Sequence, residues 1–460
     1  MKATLKSSLN QFVVKVFRFH SILHWLSFIV FLSSLIIAQE YSFAQLSNKS
    51  IFGTKDYVQS IHAINDVMIH DVVGPTGASR YYAYITMAGY EVVSQQNPDE
   101  YPDLKIALKS FPASTALLQG KIDQSFAIIY STYRMGEELL PSGFMLDSSK
   151  QIVIAKAKKK LDATVLQNTM TFSDGIVKTI LQYSIADHYR EINTMLKYTP
   201  EKGVGYWKPT PPAYTQALDP HWNEIRPFTL DSPAQIKPVP CAPYSEDSSS
   251  AFYRLAMETY QVGLHLMKEQ IAIANFWDCN PFAVQEVGHI DYGIKKISPG
   301  GHWMNITGLA CEKKNVSLEK TVQAHTLVAI ALADGFISCW DEKFRSNRIR
   351  PETFINDHID RNWRPLIQTP PFPEYPSGHS VASNAAATVL TKLLGDNFKY
   401  TDVTEEEFDQ PARTFTSFQQ AADEASISRL YGGIHFRDAI ENGASEGKKI
   451  GEWVLKKFGF

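Results

Sequence analysis

The sequence predicts a mainly α-helical protein with long proline-rich surface loops, and three observations carry that prediction. Apolar residues recur at three- and four-residue spacing over 105–118, 156–166, 172–196, 250–277 and 318–344, the period of helices with one buried face. The strict alternation that marks half-buried strands is rare. Between the helical regions, residues 199–248 hold ten prolines interleaved with Tyr206, Trp207, Tyr214, Trp222 and Phe228. Prolines at that density preclude a helix, and the aromatics argue against a disordered linker. This segment reads as an ordered loop wrapped over the surface, forming one wall of the active-site mouth.

Taken in order, the chain opens with a basic leader, Lys2, Lys6, Lys15 and Arg18, followed by an apolar run over 22–38 and the small-x-small triplet Ser42-Phe43-Ala44. The pattern is that of a signal peptide over 1–44, cut before Gln45; an uncleaved anchor is the competing reading, because the run approaches bilayer-spanning length. Either way the remainder is exported, secreted or periplasmic. Losing four basic residues and one acid moves the formal charge from −3 to −6, which excludes a basic nucleic-acid-binding surface. No second long apolar stretch follows, so the mature chain has no stable membrane span. The four cysteines, Cys241, Cys279, Cys311 and Cys339, form no metal-spaced pair. Export permits two disulfides in three pairings, and buried free thiols are the alternative.

Residues 45–198 read as an N-terminal helical lobe. His188 and Tyr189 have the residue types of a pocket, but a helix-surface or core-edge position accounts for them as well. Residues 249–460 form the C-terminal helical region, and the chemistry lies there. Its long 318–344 helix carries an apolar stripe, Val322, Ala329, Ile330, Ala333, Phe336, Ile337 and Trp340, with Lys343 at its end. Continued helical geometry would place Arg350 two turns further on the same face.

Pro376-Ser377-Gly378-His379 follows a proline-rich approach and opens the periodic segment 380–394. The first amides of a helix lack internal partners and carry the positive end of its dipole, so Ser377, Gly378 and His379 can converge on an oxyanion. Alone, a Ser-Gly pair at a helix start is ordinary capping. Its company is more specific: Lys343 and Arg350-Pro351 upstream, Ser428-Arg429 and His435 downstream. Gly432-Gly433 lets the chain turn between two helices and aim Arg429 and His435 at one point. Three cations, two neutral donors and two histidines are the inventory for a tetrahedral oxyanion.

These three clusters resemble the signature shared by vanadium-dependent haloperoxidases and the class A acid phosphatase and lipid phosphatase group. The resemblance covers about the last quarter of the chain and implies a helical-bundle, vanadium haloperoxidase-like fold. It implies that His435 binds vanadium or becomes phosphorylated. Lys343, Arg350, Ser377, Gly378 and Arg429 then neutralise the vanadate or phosphate oxygens, and His379 acts as acid and base. Trp340 and Phe372 match the aromatic positions of the haloperoxidase halide pocket, and the phenylalanine at 372 stands where algal bromoperoxidases have histidine.

On that resemblance the expected function is a secreted haloperoxidase with a vanadate cofactor. It would oxidise halide, iodide or bromide by preference, with hydrogen peroxide to hypohalous acid, and small organic molecules would accept the halogen. The alternative is a secreted, metal-free acid phosphatase with a phospho-histidine at His435, and a third reading is an exported phosphate- or vanadate-binding protein. The family's third cluster continues with an acid four residues after the histidine, where this chain has Ala439. The nearest acid is Asp438, and either it or a backbone carbonyl is the candidate to orient the ring; the substitution weakens the phosphatase reading. Asp278 is a candidate partner for an arginine of the site, with a loop cap as the plainer role.

Overall fold

The computed structural model describes residues 50–114, 116, 120–281, 283–287, 290–293 and 295–460. The signal-peptide expectation for 1–44 lies outside the described residues. The chain divides into two units, Met1–Ile51 and Phe52–Phe460, and the second carries everything below.

It is helical. The order is α1 (Thr54–His70), α2 (Pro75–Gln96), α3 (Leu104–Ala107), α4 (Gln124–Leu139), α5 (Asp147–Lys158), α6 (Ala163–Ile185), α7 (Tyr189–Ile192), α8 (Ala251–Leu264) and α9 (Lys268–Phe276). The hairpin β1 (Val284–Val287) and β2 (Ile290–Gly293) precedes α10 (Pro299–Lys314), α11 (Leu318–Ser346), α12 (Pro351–His358) and α13 (Gly378–Leu394). A second antiparallel pair, β3 (Tyr400–Asp402) with β4 (Arg413–Phe415), leads to α14 (Phe418–Tyr431) and α15 (Arg437–Lys457).

The hub is α11. Every residue from Thr321 to Trp340 is buried, so the helix is covered on all sides rather than along the single stripe that its periodicity suggests. It packs against α2 and against α13, and α13 in turn packs against α14 and α15. Among the described residues it is the one helix long and apolar enough to cross a bilayer, and that window is wholly buried in the fold. Its buried Asp334 accepts the amides of Phe228 at 2.7 Å and Thr229 at 2.8 Å. The charge is thereby satisfied, and the proline-rich wrap is pinned to the hub.

The contact of α15 with α13 is close because Gly443 and Gly447 face α13. A Cβ at Gly443 would lie 2.9 Å from the Ser377 carbonyl, and one at Gly447 would overlap the Val381 carbonyl. The approach seats the Ser377 amide on the Ala439 carbonyl at 3.0 Å, which holds the start of α13 against the start of α15.

Several expectations give way. Over 105–118 the helix stops at Ala107: Ser110 takes a left-handed φ of 57° and Pro112 removes an amide donor. Residues 156–166 span two helices, because Asp162 accepts the Thr164 amide and starts α6 afresh. The surface and core-edge reading of His188 and Tyr189 holds: His188 is exposed, and Tyr189 rests against Trp222 and Tyr81. All four cysteines are free thiols, three of them buried, so the disulfide alternative is set aside.

Candidate active site

Lys343 lies in the last turn of α11, fully buried, and its Nζ donates to the carbonyls of Pro373 at 2.9 Å, Glu374 at 3.1 Å and Pro376 at 2.5 Å. One ammonium therefore folds the proline-rich approach around itself. Arg350 does not reach the site along a continued helix. The chain leaves α11 at Asn347, which is left-handed with φ 46°, and Arg350 is the extended N-cap of α12. Its Nε donates to the Phe372 carbonyl at 2.8 Å and its Nη1 to the Ile434 carbonyl at 2.9 Å. Lys343 and Arg350 thus converge through a chain reversal.

Ser377 caps α13, its Oγ accepting the Ser380 amide at 3.3 Å, which leaves the hydroxyl hydrogen free to donate. Gly378 opens the helix, with Trp340, Phe336 and Cys339 at van der Waals distance from where a Cβ would stand. Arg429, in the last turn of α14, donates to Ser428 Oγ at 2.9 Å and to the Trp277 carbonyl at 2.6 Å. Gly433, with φ 77°, makes the turn that brings His435 to the same cavity as Arg429, His379 and Gly378. Asp278 also lines that cavity; it pairs with Lys296 at 2.7 Å, and its charge also acts on Arg429, to which it is not hydrogen-bonded.

The residue that orients His435 is Glu374, which sequence reasoning missed. Its Oε1 accepts His435 Nδ1 at 2.9 Å and the Phe436 amide at 2.9 Å. The Nδ1–H bond puts the lone pair on Nε2, where Arg350 Nη1 stands 3.2 Å away. Glu374 Oε2 is held by the buried Arg348 through its Nε at 2.6 Å, and Arg348 forks onto Asp438 at 2.7 and 2.8 Å. Asp438 therefore anchors Arg348 and does not touch the ring. Ala439 therefore does not weigh against a phosphatase, because Glu374 supplies the orienting carboxylate. The available signals were the lone acid among prolines at 370–376 and the alternation Arg348-Ile349-Arg350, with one guanidinium aimed to each side.

The electrostatics are those of a cage built for an anion. Burial pushes the Lys343 amine down to about 7, and the Arg350 guanidinium presses the same way. Burial also lowers Arg350, to about 10, and lowers Arg429. His379 and His435 fall well below the ordinary histidine range, first through burial and then through the cations around them. Arg350 Nη2 and His379 Nε2 are buried and have no hydrogen-bond partner. Buried cations whose partners are carbonyls, beside orphaned polar atoms, are costly unless an anion compensates them. An oxyanion fits these residues on that ground.

The aromatic wall is Trp340 and Phe372, with ring centroids 4.9 Å apart. Lys343 Nζ lies 5.0 Å and Arg350 Cζ 5.0 Å from the Phe372 centroid, so the ring face meets both cations. The wrap buttresses this wall: the Leu218 carbonyl accepts Trp340 Nε1 at 3.2 Å and the Leu218 amide donates to Pro371 at 2.9 Å.

Comparison with known proteins agrees with this geometry. The family model described as the VCPO second helical-bundle domain matches residues 323–459. The crystal structure of a bacterial vanadium-dependent iodoperoxidase is 42% identical with a TM-score of 0.82, over 88% of this chain and 96% of that one. Holo and apo forms of a bacterial vanadium-dependent chloroperoxidase share the fold at 13% and 12% identity. Their TM-scores are 0.62 and 0.61, over 84% of this chain and 93% and 95% of theirs. The curated proteins gave no match. The chain belongs to the vanadium-dependent haloperoxidases, and it is accordingly a peroxidase, an oxidoreductase whose relatives depend on vanadium. The cage of Lys343, Arg350, Arg429, Ser377 and Gly378, with the Nε2 lone pair of His435 beside Arg350, fits a vanadate ion.

Proposed function

We propose that the protein is an exported haloperoxidase that oxidises iodide, and bromide less readily, with hydrogen peroxide to hypohalous acid, which then halogenates small organic acceptors. The observation that carries this is the buried cage of three cations, hydrogen-bonded to no carboxylate among the described residues, beside the aromatic pair Trp340 and Phe372. The iodide preference follows the 42% identical iodoperoxidase and the phenylalanine at 372.

Vanadate, when bound, supplies Lewis-acid activation of peroxide without a change of oxidation state. Lys343, Arg350 and Arg429 spread its negative charge, and Ser377 Oγ–H and the Gly378 amide donate from the start of α13. His435 Nε2 offers the ligating lone pair, fixed by Glu374 at Nδ1. Neutral His379, its Nε2 unpartnered, would accept a proton from hydrogen peroxide and later return it. Trp340 and Phe372 exclude water from the path of a large, weakly hydrated halide.

The test is a set of initial rates with iodide, bromide and chloride on vanadate-loaded protein. Iodide should give the highest kcat/KM; a chloride preference would overturn the assignment. Export is tested by N-terminal sequencing of the mature chain, expected to begin at Gln45.

A further inference from the structure

Beside the loop that follows α9, four buried side chains that the proposed reaction does not use come together. Cys279 lies in that loop, His302 near the start of α10, Asp402 at the end of β3 and Glu405 three residues beyond; each is less than a tenth exposed. His302 Nε2 donates to Asp402 Oδ2 at 2.8 Å. Asp402 Oδ1 is itself held by the Thr404 amide at 3.0 Å and the Thr404 hydroxyl at 2.7 Å. With Nε2 engaged by Asp402, Nδ1 is the ring nitrogen open to further partners. That nitrogen faces Cys279 Sγ at 3.4 Å and Glu405 Oε1 at 3.2 Å. Glu405 Oε1 is buried and has no hydrogen-bond partner.

A ring nitrogen, a thiol sulfur and a carboxylate oxygen face one another out of water. We propose that Cys279 Sγ, His302 Nδ1 and Glu405 Oε1 bind a divalent transition metal of the zinc class, with Asp402 as the carboxylate that orients His302. The three ligand atoms lie within 4.8 Å of one another. Zinc bonds of ~2.3 Å to sulfur and ~2.0 Å to nitrogen or oxygen, at tetrahedral angles, separate sulfur from nitrogen by ~3.5 Å and nitrogen from oxygen by ~3.3 Å. The observed 3.4 and 3.2 Å match two edges of that tetrahedron, and the third separation, sulfur to oxygen, is within 4.8 Å. A thiolate and an imidazole select zinc-like ions over magnesium or calcium, and the Asp402–His302 bond is the carboxylate–histidine arrangement that fixes a ligating ring. Three protein ligands leave one corner for water. Binding releases the Cys279 thiol proton and transfers no electron.

The position gives the metal a task. Trp277 stacks on His302 with centroids 4.6 Å apart and planes 26° apart, and the Trp277 carbonyl receives Arg429 Nη2 at 2.6 Å. A metal on His302 and Cys279 therefore clamps both ends of the segment that positions Arg429.

The experiment is elemental analysis of the full mature chain, expressed without added metal and purified without a metal-affinity step. About one equivalent of a first-row divalent metal is expected, falling at least tenfold in Cys279→Ser and staying in His435→Ala. A chain that carries no such metal and takes up none on zinc titration overturns the proposal, as does an equivalent retained by Cys279→Ser. Because the serine variant can fail to fold, cobalt is also exchanged into the unaltered protein. A thiolate-to-cobalt charge-transfer band in the near ultraviolet supports the site, and bound cobalt without that band overturns it.

Discussion

Glu374 Oε1 accepts both the Nδ1–H of His435 and the amide of Phe436, each at 2.9 Å, so one carboxylate oxygen fixes the ring and the backbone that carries it. Partners that orient a ligating histidine typically contribute ~10–100-fold in affinity or activity. Glu374→Gln should therefore lower vanadate affinity by about 10–100-fold, because the amide carries no charge and also loosens Arg348. Vanadate titration monitored by recovered iodide oxidation measures this; an unchanged affinity would mean that the ring is held without the carboxylate.

The buried Lys343 gives the site a pH signature. Its folded value is depressed to about 7 from 10.5, so the charged form is lost as pH rises through about 7. An oxyanion needs that charge. Its affinity should fall as pH rises above 7, and binding at alkaline pH should take up a proton. Without an anion the sign for stability is the opposite one: between about 7 and 10.5 the unfolded chain binds more protons than the folded chain. The contribution of Lys343 therefore makes the protein more stable as pH rises through that window. Calorimetric titration with orthovanadate in buffers of different ionisation enthalpy should show the uptake, and Lys343→Met should abolish it.

His379 is held neutral, with its Nε2 unpartnered, as a proton acceptor requires. General acid–base groups contribute ~10²–10⁴-fold. His379→Ala should lower kcat within that range and leave vanadate affinity within a few-fold, whereas His435→Ala should lose vanadate itself. Single-turnover kinetics beside equilibrium vanadate binding separates the two roles, and an equal loss of affinity in both variants would contradict them.

Phe372 packs on Trp340 and faces both Lys343 and Arg350. Its truncation to alanine opens the wall and forfeits two cation–π contacts. Phe372→Ala should cost about 3–5 kcal/mol of stability and narrow the ratio of iodide to bromide kcat/KM. Thermal denaturation and paired halide rates check both outcomes; an unaltered ratio would remove Phe372 from the halide pocket.

The helical class was legible because hydrophobic period survives burial, and the candidate clusters stood out because basic residues, histidines and a helix start occur together in the order of a known signature. What periodicity could not carry was the path between helices. Lys343 and Arg350 have helical spacing, yet a left-handed Asn347 brings them together through a reversal. Glu374 and Arg348 were hidden for a different reason: a buried ion pair is a relation between distant segments, and each residue alone reads as a surface charge. Residues 105–118 show the converse, where apolar spacing persists through a serine and a proline that end the helix.

The most direct measurement pairs two assays on metal-free protein. Peroxide-dependent iodide and bromide oxidation is followed as orthovanadate is added, and hydrolysis of a chromogenic phosphate ester is followed without it, each with His435→Ala alongside. Vanadate-dependent iodide oxidation that disappears with His435 is the predicted result. Metal-free phosphatase turnover that vanadate inhibits, with no halide oxidised at any vanadate concentration, would contradict the account.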